Sequence, residues 1–211
     1  RVIIALLVVL SITALYWTAQ AQVWNTYPLW LRDHVGRDIL GWTVPVTWFQ
    51  SLDSLAVLLL APVMVVVWRK QAQRGAEPAE LSKIAIGCCA FGIACLLLSI
   101  GELLAGGGKI ALIWPVVFHF LCAIGYLYIA PIALALVSRD APAAVNAMMV
   151  GAYYLGIFIG GICSGWLGRF YEPAGPLVFW MIHAAVVASG ALFVLLLRTW
   201  LVQALRSRVT A

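Results

Sequence analysis

The sequence predicts an all-α membrane protein whose six transmembrane helices form one bundle. Three observations carry this. Apolar residues make up 64% of the chain and charged residues 10%, whereas a water-soluble domain is about 45–50% apolar and about 25% charged. The apolar residues fall in long runs near 2–24, 48–68, 84–104, 110–137, 147–168 and 176–197. Each run reaches the roughly 20 residues that a helix needs to cross a hydrocarbon core about 30 Å thick. None shows the strict alternation of a barrel strand, the other structure that can span a bilayer.

Taken in order, the first run lacks a small-residue cleavage site followed by a soluble body, so it reads as a span and not as a leader. Residues 25–47 form the longest connection, kept out of lipid by Arg32, Asp33, Arg37 and Asp38. The second run opens at Trp48, and the charged stretch after it, with Gly75 and Pro78, reads as a mobile loop. The third run ends at the glycines 106–108. In the fourth, Gly125 precedes Pro131, whose missing N–H frees a carbonyl one turn earlier. Such Gly/Pro interruption of a span points to a binding site in secondary transporters. On the fifth, Gly156 and Gly160, and Gly161 and Gly165, stand four apart, a spacing that permits close helix packing.

If the first helix runs outward, Arg1, Arg69, Lys70, Arg74, Lys83, Arg139, Arg198, Arg206 and Arg208 lie inside. Arg32, Arg37, Lys109 and Arg169 lie outside. The positive-inside rule then predicts an inner-membrane protein with both ends of this segment cytoplasmic. Trp24, Trp30, Trp42 and Trp48 are expected at the outer interface, Trp68 and Trp200 at the inner one. The net charge of +5 is read as topology. No basic stripe interleaves with exposed aromatics, so no nucleic-acid partner is expected. Cys88, Cys89, Cys95, Cys122 and Cys163 fall within spans with no CxxC or HxxxH spacing, and read as small packing residues. Neither a metal nor another cofactor is expected. No Walker loop, nucleophile elbow or dinucleotide fingerprint occurs, and no nucleophile–base pair stands at helical spacing, so an enzyme is not expected.

Function is therefore sought in the polar groups at membrane depth. Asp53 is the acid well inside a span. It either faces a wet cavity as a proton or substrate site, or snorkels to the outer interface one turn away. Glu102, in the last turn of the third span, reads as interfacial. His119 either titrates near neutral pH or is a satisfied core residue, and His183 reads as structural. Trp17 and Gln20 share a helix face, with Gln22 pointing about 160° away from Gln20. An unpaired amide does not belong in lipid, so Gln20 is expected to point inward. Tyr126, Tyr128, Tyr153 and Tyr154 add hydroxyls that serve either packing or a site.

Four stretches carry a family resemblance. Residues 41–68, with Pro45, Trp48-Phe49-Gln50-Ser51 and Leu60-Ala61-Pro62, resemble the eighth-helix signature of proton-dependent oligopeptide transporters. Residues 123–142 resemble the tenth helix of that family, residues 148–165 its eleventh, and residues 16–22 its seventh. The resemblance covers nearly the whole chain in order. It implies the C-terminal six-helix half of a twelve-helix major facilitator protein. Two inverted three-helix repeats are expected near 1–104 and 110–205, the first helix of each lining a central cavity. The chain begins with Arg1, and a longer protein with an N-terminal six-helix bundle is expected.

Four positions depart from the pattern that the resemblance implies. Tyr126 stands where the resemblance expects a glutamate that pairs with a peptide amino terminus. Ala21 replaces an acid implicated in proton coupling, and Asp53 replaces an asparagine. Tyr153 stands where a tryptophan is usual. Candidate substrate-binding residues are Trp17, Gln20, Gln50, Asp53, Tyr126 and Tyr153, and candidate proton-coupling residues are Asp53 and His119. The implied activity is proton-coupled uptake of di- and tripeptides by alternating access, with small peptides, protons, the lipid bilayer and the N-terminal bundle as partners. Carriage of a non-peptide solute and a non-transporting membrane module are the alternatives.

Overall fold

The computed structural model describes residues 1–206, so the expected inner-side charge Arg208 lies outside the described residues. The elements are α1 (Val2–Gln20), α2 (Tyr27–His34), a two-stranded hairpin β1 (Asp38–Ile39) and β2 (Trp42–Thr43), α3 (Val46–Gln73), α4 (Glu80–Ala105), α5 (Ile113–Asp140), α6 (Asn146–Gly168) and α7 (Tyr171–Arg206). Short 3-10 segments, Ala21–Trp24 and Ala143–Val145, extend α1 and precede α6. Six of the helices are long and apolar enough to cross a membrane. They are apolar on all sides because lipid and protein interior are equally free of water.

The spans run beyond the apolar stretches. Helix α3 continues through Arg69, Lys70 and Gln71, and α4 opens at Glu80, leaving only 74–79 as connection. The expected mobile loop is thus mostly helix, since Lys, Arg, Gln and Ala are strong helix formers. Its remnant is pinned, because Lys83 of α4 pairs with Glu77 and its ammonium lies 4.9 Å from the Trp68 ring centre. Helix α5 passes through Pro131 without a break in its helical assignment. Helix α7 starts earlier than expected, with Gly175 at φ 73° kinking its first turn before Pro176.

Residues 25–45 depart most from expectation. They fold back onto the bundle through α2, whose Tyr27, Trp30 and Leu31 are fully buried. Trp30 is therefore a core residue and not an interfacial one. Its ring lies 5.8 Å edge-on from Trp180, and Tyr27 stacks on Phe118 at 5.0 Å. Trp24, Trp42 and Trp48 are exposed at the same end of the bundle. Backbone bonds fasten the segment to the α4–α5 connection: Gly36 N donates to Ile110 O at 2.9 Å, and Ile110 N donates to His34 O at 2.8 Å.

Close backbone approach sets the helix crossings. A Cβ on Gly87 of α4 would lie 3.0 Å from the carbonyl oxygen of Gly125 on α5, and the converse distance is also 3.0 Å. A Cβ on Gly160 of α6 would lie 2.6 Å from the Cβ of Trp17 on α1. Of the two glycine pairs on α6, only Gly156 and Gly160 pack. Gly161 and Gly165 have nothing within 4 Å, because one residue along a helix turns the direction by about 100°. We expect Gly87→Val to destabilise the full-length protein by about 1–3 kcal/mol, the usual cost of overpacking. Gly165→Val is expected to be nearly neutral. Apparent melting temperatures of the two purified variants check the contrast.

Candidate functional site

A cavity of about 450 Å³ opens between α1, α3, α5 and α6, lined by Trp17, Gln20, Ala21, Trp24, Asp53, Ser54, Val57, Tyr126 and Ile157. This is within the size range of small-molecule sites, about 300–1,000 Å³. Asp53 is the single ionisable carboxylate among those lining residues, and no lysine or arginine joins it. The wall is therefore electronegative and suits a cationic group. An apolar frame of Trp17, Val57 and Ile157 surrounds it.

Asp53 does not stand alone. Its Oδ1 lies 3.3 Å from Nδ1 of His119 on the neighbouring helix α5. The Asp53 side chain is 14% exposed and that of His119 0%. Asp53 thus faces inward and is not snorkelling. His119 backs it from the core side, held edge-on against Tyr27 at 5.2 Å and Phe118 at 5.3 Å. Its other nitrogen, Nε2, is buried without a hydrogen-bond partner among the described residues, as is the Tyr27 hydroxyl. A carboxylate hydrogen-bonded to an imidazole is a pair in which one proton has two places to sit. His119 is in this sense more than a core residue: its one bonded ring nitrogen is committed to the cavity acid.

Trp17 reaches the cavity from α1, where Gly160 presses on its Cβ, and its ring meets Tyr126 edge-on at 6.2 Å. The indole Nε1 of Trp17 is buried and unpartnered among the described residues. Gln20 lines the cavity, and its Oε1 accepts from the Tyr16 hydroxyl at 3.3 Å.

Trp17, Gln20, Asp53 and Tyr126, drawn from three helices, thus meet at one cavity with His119 behind. Two other candidates do not join them. Tyr153 is buried and its hydroxyl donates to Ala130 O on α5 at 3.2 Å, which makes it a strut between α6 and α5. Gln50 is half-buried one turn before Asp53 but is not on the cavity wall. His183 is buried, with Nδ1 2.8 Å from the Phe179 carbonyl of its own helix. Ser54, Val57 and Ile157 were not singled out from sequence. Ser54 and Val57 follow Asp53 at one and four residues, a helical signal that was available, whereas nothing in the sequence distinguishes Ile157 from its apolar neighbours.

With that geometry in hand, similarity to known proteins becomes informative. A family model described as the POT family matches residues 1–174. The chain belongs to the POT family. It is 28% identical over 204 residues to peptide transporter YePEPT of Yersinia enterocolitica, covering 93% of this chain and 40% of that protein. It is 24% identical over 209 residues to dipeptide and tripeptide permease A of Escherichia coli, covering 94% of this chain and 41% of the permease. A crystal structure of a peptide transporter POT bound to sulfate superposes with a TM-score of 0.88 at 25% identity, over 95% of this chain and 40% of that one. The six-helix bundle is therefore a major-facilitator bundle of the POT type. The chain spans about 40% of the length of these relatives.

One amide does not serve the cavity. Gln22 lies in the 3-10 segment after α1, fully buried, and donates from Nε2 to Ser164 O on α6 at 2.7 Å. Its Oε1 accepts from Thr26 N at 3.3 Å. We expect Gln22→Leu to cost about 1–3 kcal/mol by stranding buried groups, and Gln20→Leu to cost less because Gln20 borders the open cavity. Apparent melting temperatures of the full-length variants test the order.

Proposed function

We propose that this chain is the C-terminal half of a proton-coupled importer of di- and tripeptides that works by alternating access. Asp53 is the group that receives the peptide ammonium, and the Asp53–His119 pair carries the proton exchanged on this side. One observation carries the reading: the cavity's acid is held by a buried imidazole from the adjacent helix. A carboxylate in the bilayer interior is expensive unless paired or wetted, and this one is paired with His119 and borders the cavity. A hydrogen bond to a charged group is worth about 1.5–3 kcal/mol, against about 1 for a neutral pair. Asp53 thus offers a peptide ammonium what Tyr126 does not.

Trp17 and Tyr126 supply aromatic walls for the peptide, and Gln20 a neutral hydrogen-bonding group. A second six-helix bundle of the same protein closes the other side of the cavity and provides the carboxylate-binding groups that this half lacks. The end of the bundle bearing Arg69, Lys70, Arg74, Lys83, Arg139 and Arg198 faces the cytoplasm, and α2 with the hairpin faces outward, in a bacterial inner membrane. Support for the peptide reading comes from the relatives named as peptide transporters.

A second reading, carriage of a non-peptide amine, is favoured by one specific feature. Tyr126 leaves the amine with a single acid on this wall, a simpler requirement than that of a zwitterionic peptide. Uptake into proteoliposomes under an inward proton gradient separates the two readings. Dipeptide accumulation supports the first, and accumulation of a simple amine without dipeptide supports the second. In either case Asp53→Asn should lower gradient-driven uptake by at least ten-fold and flatten its pH dependence. Unchanged uptake with an unchanged pH profile would remove Asp53 from the coupling role.

A further inference from the structure

At the end of the bundle that carries α2, a second acid–imidazole pair lies outside the cavity. Glu102, in the last turn of α4, is 9% exposed, and its Oε1 lies 3.2 Å from Nδ1 of His34. The same oxygen accepts a hydrogen bond from Nε1 of the fully buried Trp30. Both groups belong to α2, so a single carboxylate oxygen on α4 is met by an indole hydrogen bond and by an imidazole nitrogen from one helix. The His34 ring is 32% exposed, which gives it access to protons from water that His119 lacks. Sequence reading set Glu102 at the lipid interface, and nothing in residues 25–47 signalled that α2 would cover it.

The other charged and titratable groups around the pair do not change state over the same range. Arg32 and Lys109 keep their charge throughout it. Asp33 is hydrogen-bonded to Arg32, which holds its carboxyl below the usual carboxylate range. Lys109 is engaged, donating to the Asp33 carbonyl at 2.5 Å. From α7, the Tyr171 hydroxyl lies within electrostatic reach of Glu102, Asp33 and Arg32, and a phenol titrates well above neutrality.

We propose that His34 and Glu102 form a proton-binding site separate from the cavity, which clamps α2 to α4. With His34 neutral, Nδ1 stands 3.2 Å from the carboxylate oxygen as a close polar contact. When the ring takes a proton from water, that contact becomes an ion pair between imidazolium and carboxylate, which is stronger than a contact between a neutral ring and the same acid. The proton returns to water by the nitrogen that took it up, and no other bond is made or broken. The clamp is tight with the ring protonated and slackens when the proton is lost. Helix α2 continues from α1 through only the 3-10 segment Ala21–Trp24 and two further residues. The clamp therefore sets how firmly the far end of the helix bearing Trp17 and Gln20 is held.

Amide hydrogen exchange on the full-length protein in lipid nanodiscs tests this, with exchange times scaled for the intrinsic effect of pH. In the parent, amides of 27–36 should exchange about five-fold more slowly near pH 5.5 than near pH 8, the ratio expected when the contact gains about 1 kcal/mol as an ion pair. His34→Gln should abolish that ratio while leaving the protection of α4 to α7 intact. Glu102→Gln, which keeps an acceptor for Trp30, should abolish it as well. If Glu102→Gln fails to fold, His34→Gln alone decides. The proposal is overturned if the parent shows no pH-dependent protection in this segment, or if His34→Gln retains it. The readout is protection and not uptake, so its failure leaves the peptide reading standing.

Discussion

Polar atoms placed at membrane depth must find partners within the protein, because hydrocarbon offers none. That constraint arranges most of what is described here. It turns Gln22 toward the Ser164 carbonyl, gives the Tyr153 hydroxyl to Ala130, and brings His119 against Asp53. Each of these bonds joins two different helices, so satisfying a polar group and fixing a crossing are the same act. Where such a bond is absent, glycine lets backbones touch instead, as at Gly87 and Gly125. Around the cavity the rule is relaxed, and among the described residues the indole N–H of Trp17, Nε2 of His119 and the Tyr27 hydroxyl have no hydrogen-bond partner.

The cavity of this POT-family chain carries its charge at one place: Asp53 is the one carboxylate among the lining residues, and His119 backs it at 3.3 Å. Asp53 and His119 arise on helices that pack side by side, α3 and α5, so the pair forms without any backbone irregularity.

The six spans and the meeting of Trp17, Gln20, Asp53 and Tyr126 were legible in the sequence, because hydrophobic runs and the cost of burying polar groups are local properties. The partnership of Asp53 with His119 was not, since 66 residues separate them and no periodicity relates two helices. Tyr153 was misplaced for the same reason: its helix face was clear, but which neighbour that face met was not. Trp30 and Glu102 were read as interfacial, and His34 was not singled out. A short polar segment reads as a loop, and only its packing on Trp180 and Phe118 reveals α2 as part of the core.

Helix α3 buries few of its side chains, Phe49, Ala56 and Met64. It is the least embedded span within this bundle, whereas α5 is among the better embedded. Asp53 sits on the first and His119, wedged among aromatic rings, on the second. The acid–imidazole contact is therefore the polar seam by which the outermost span is tied to the interior.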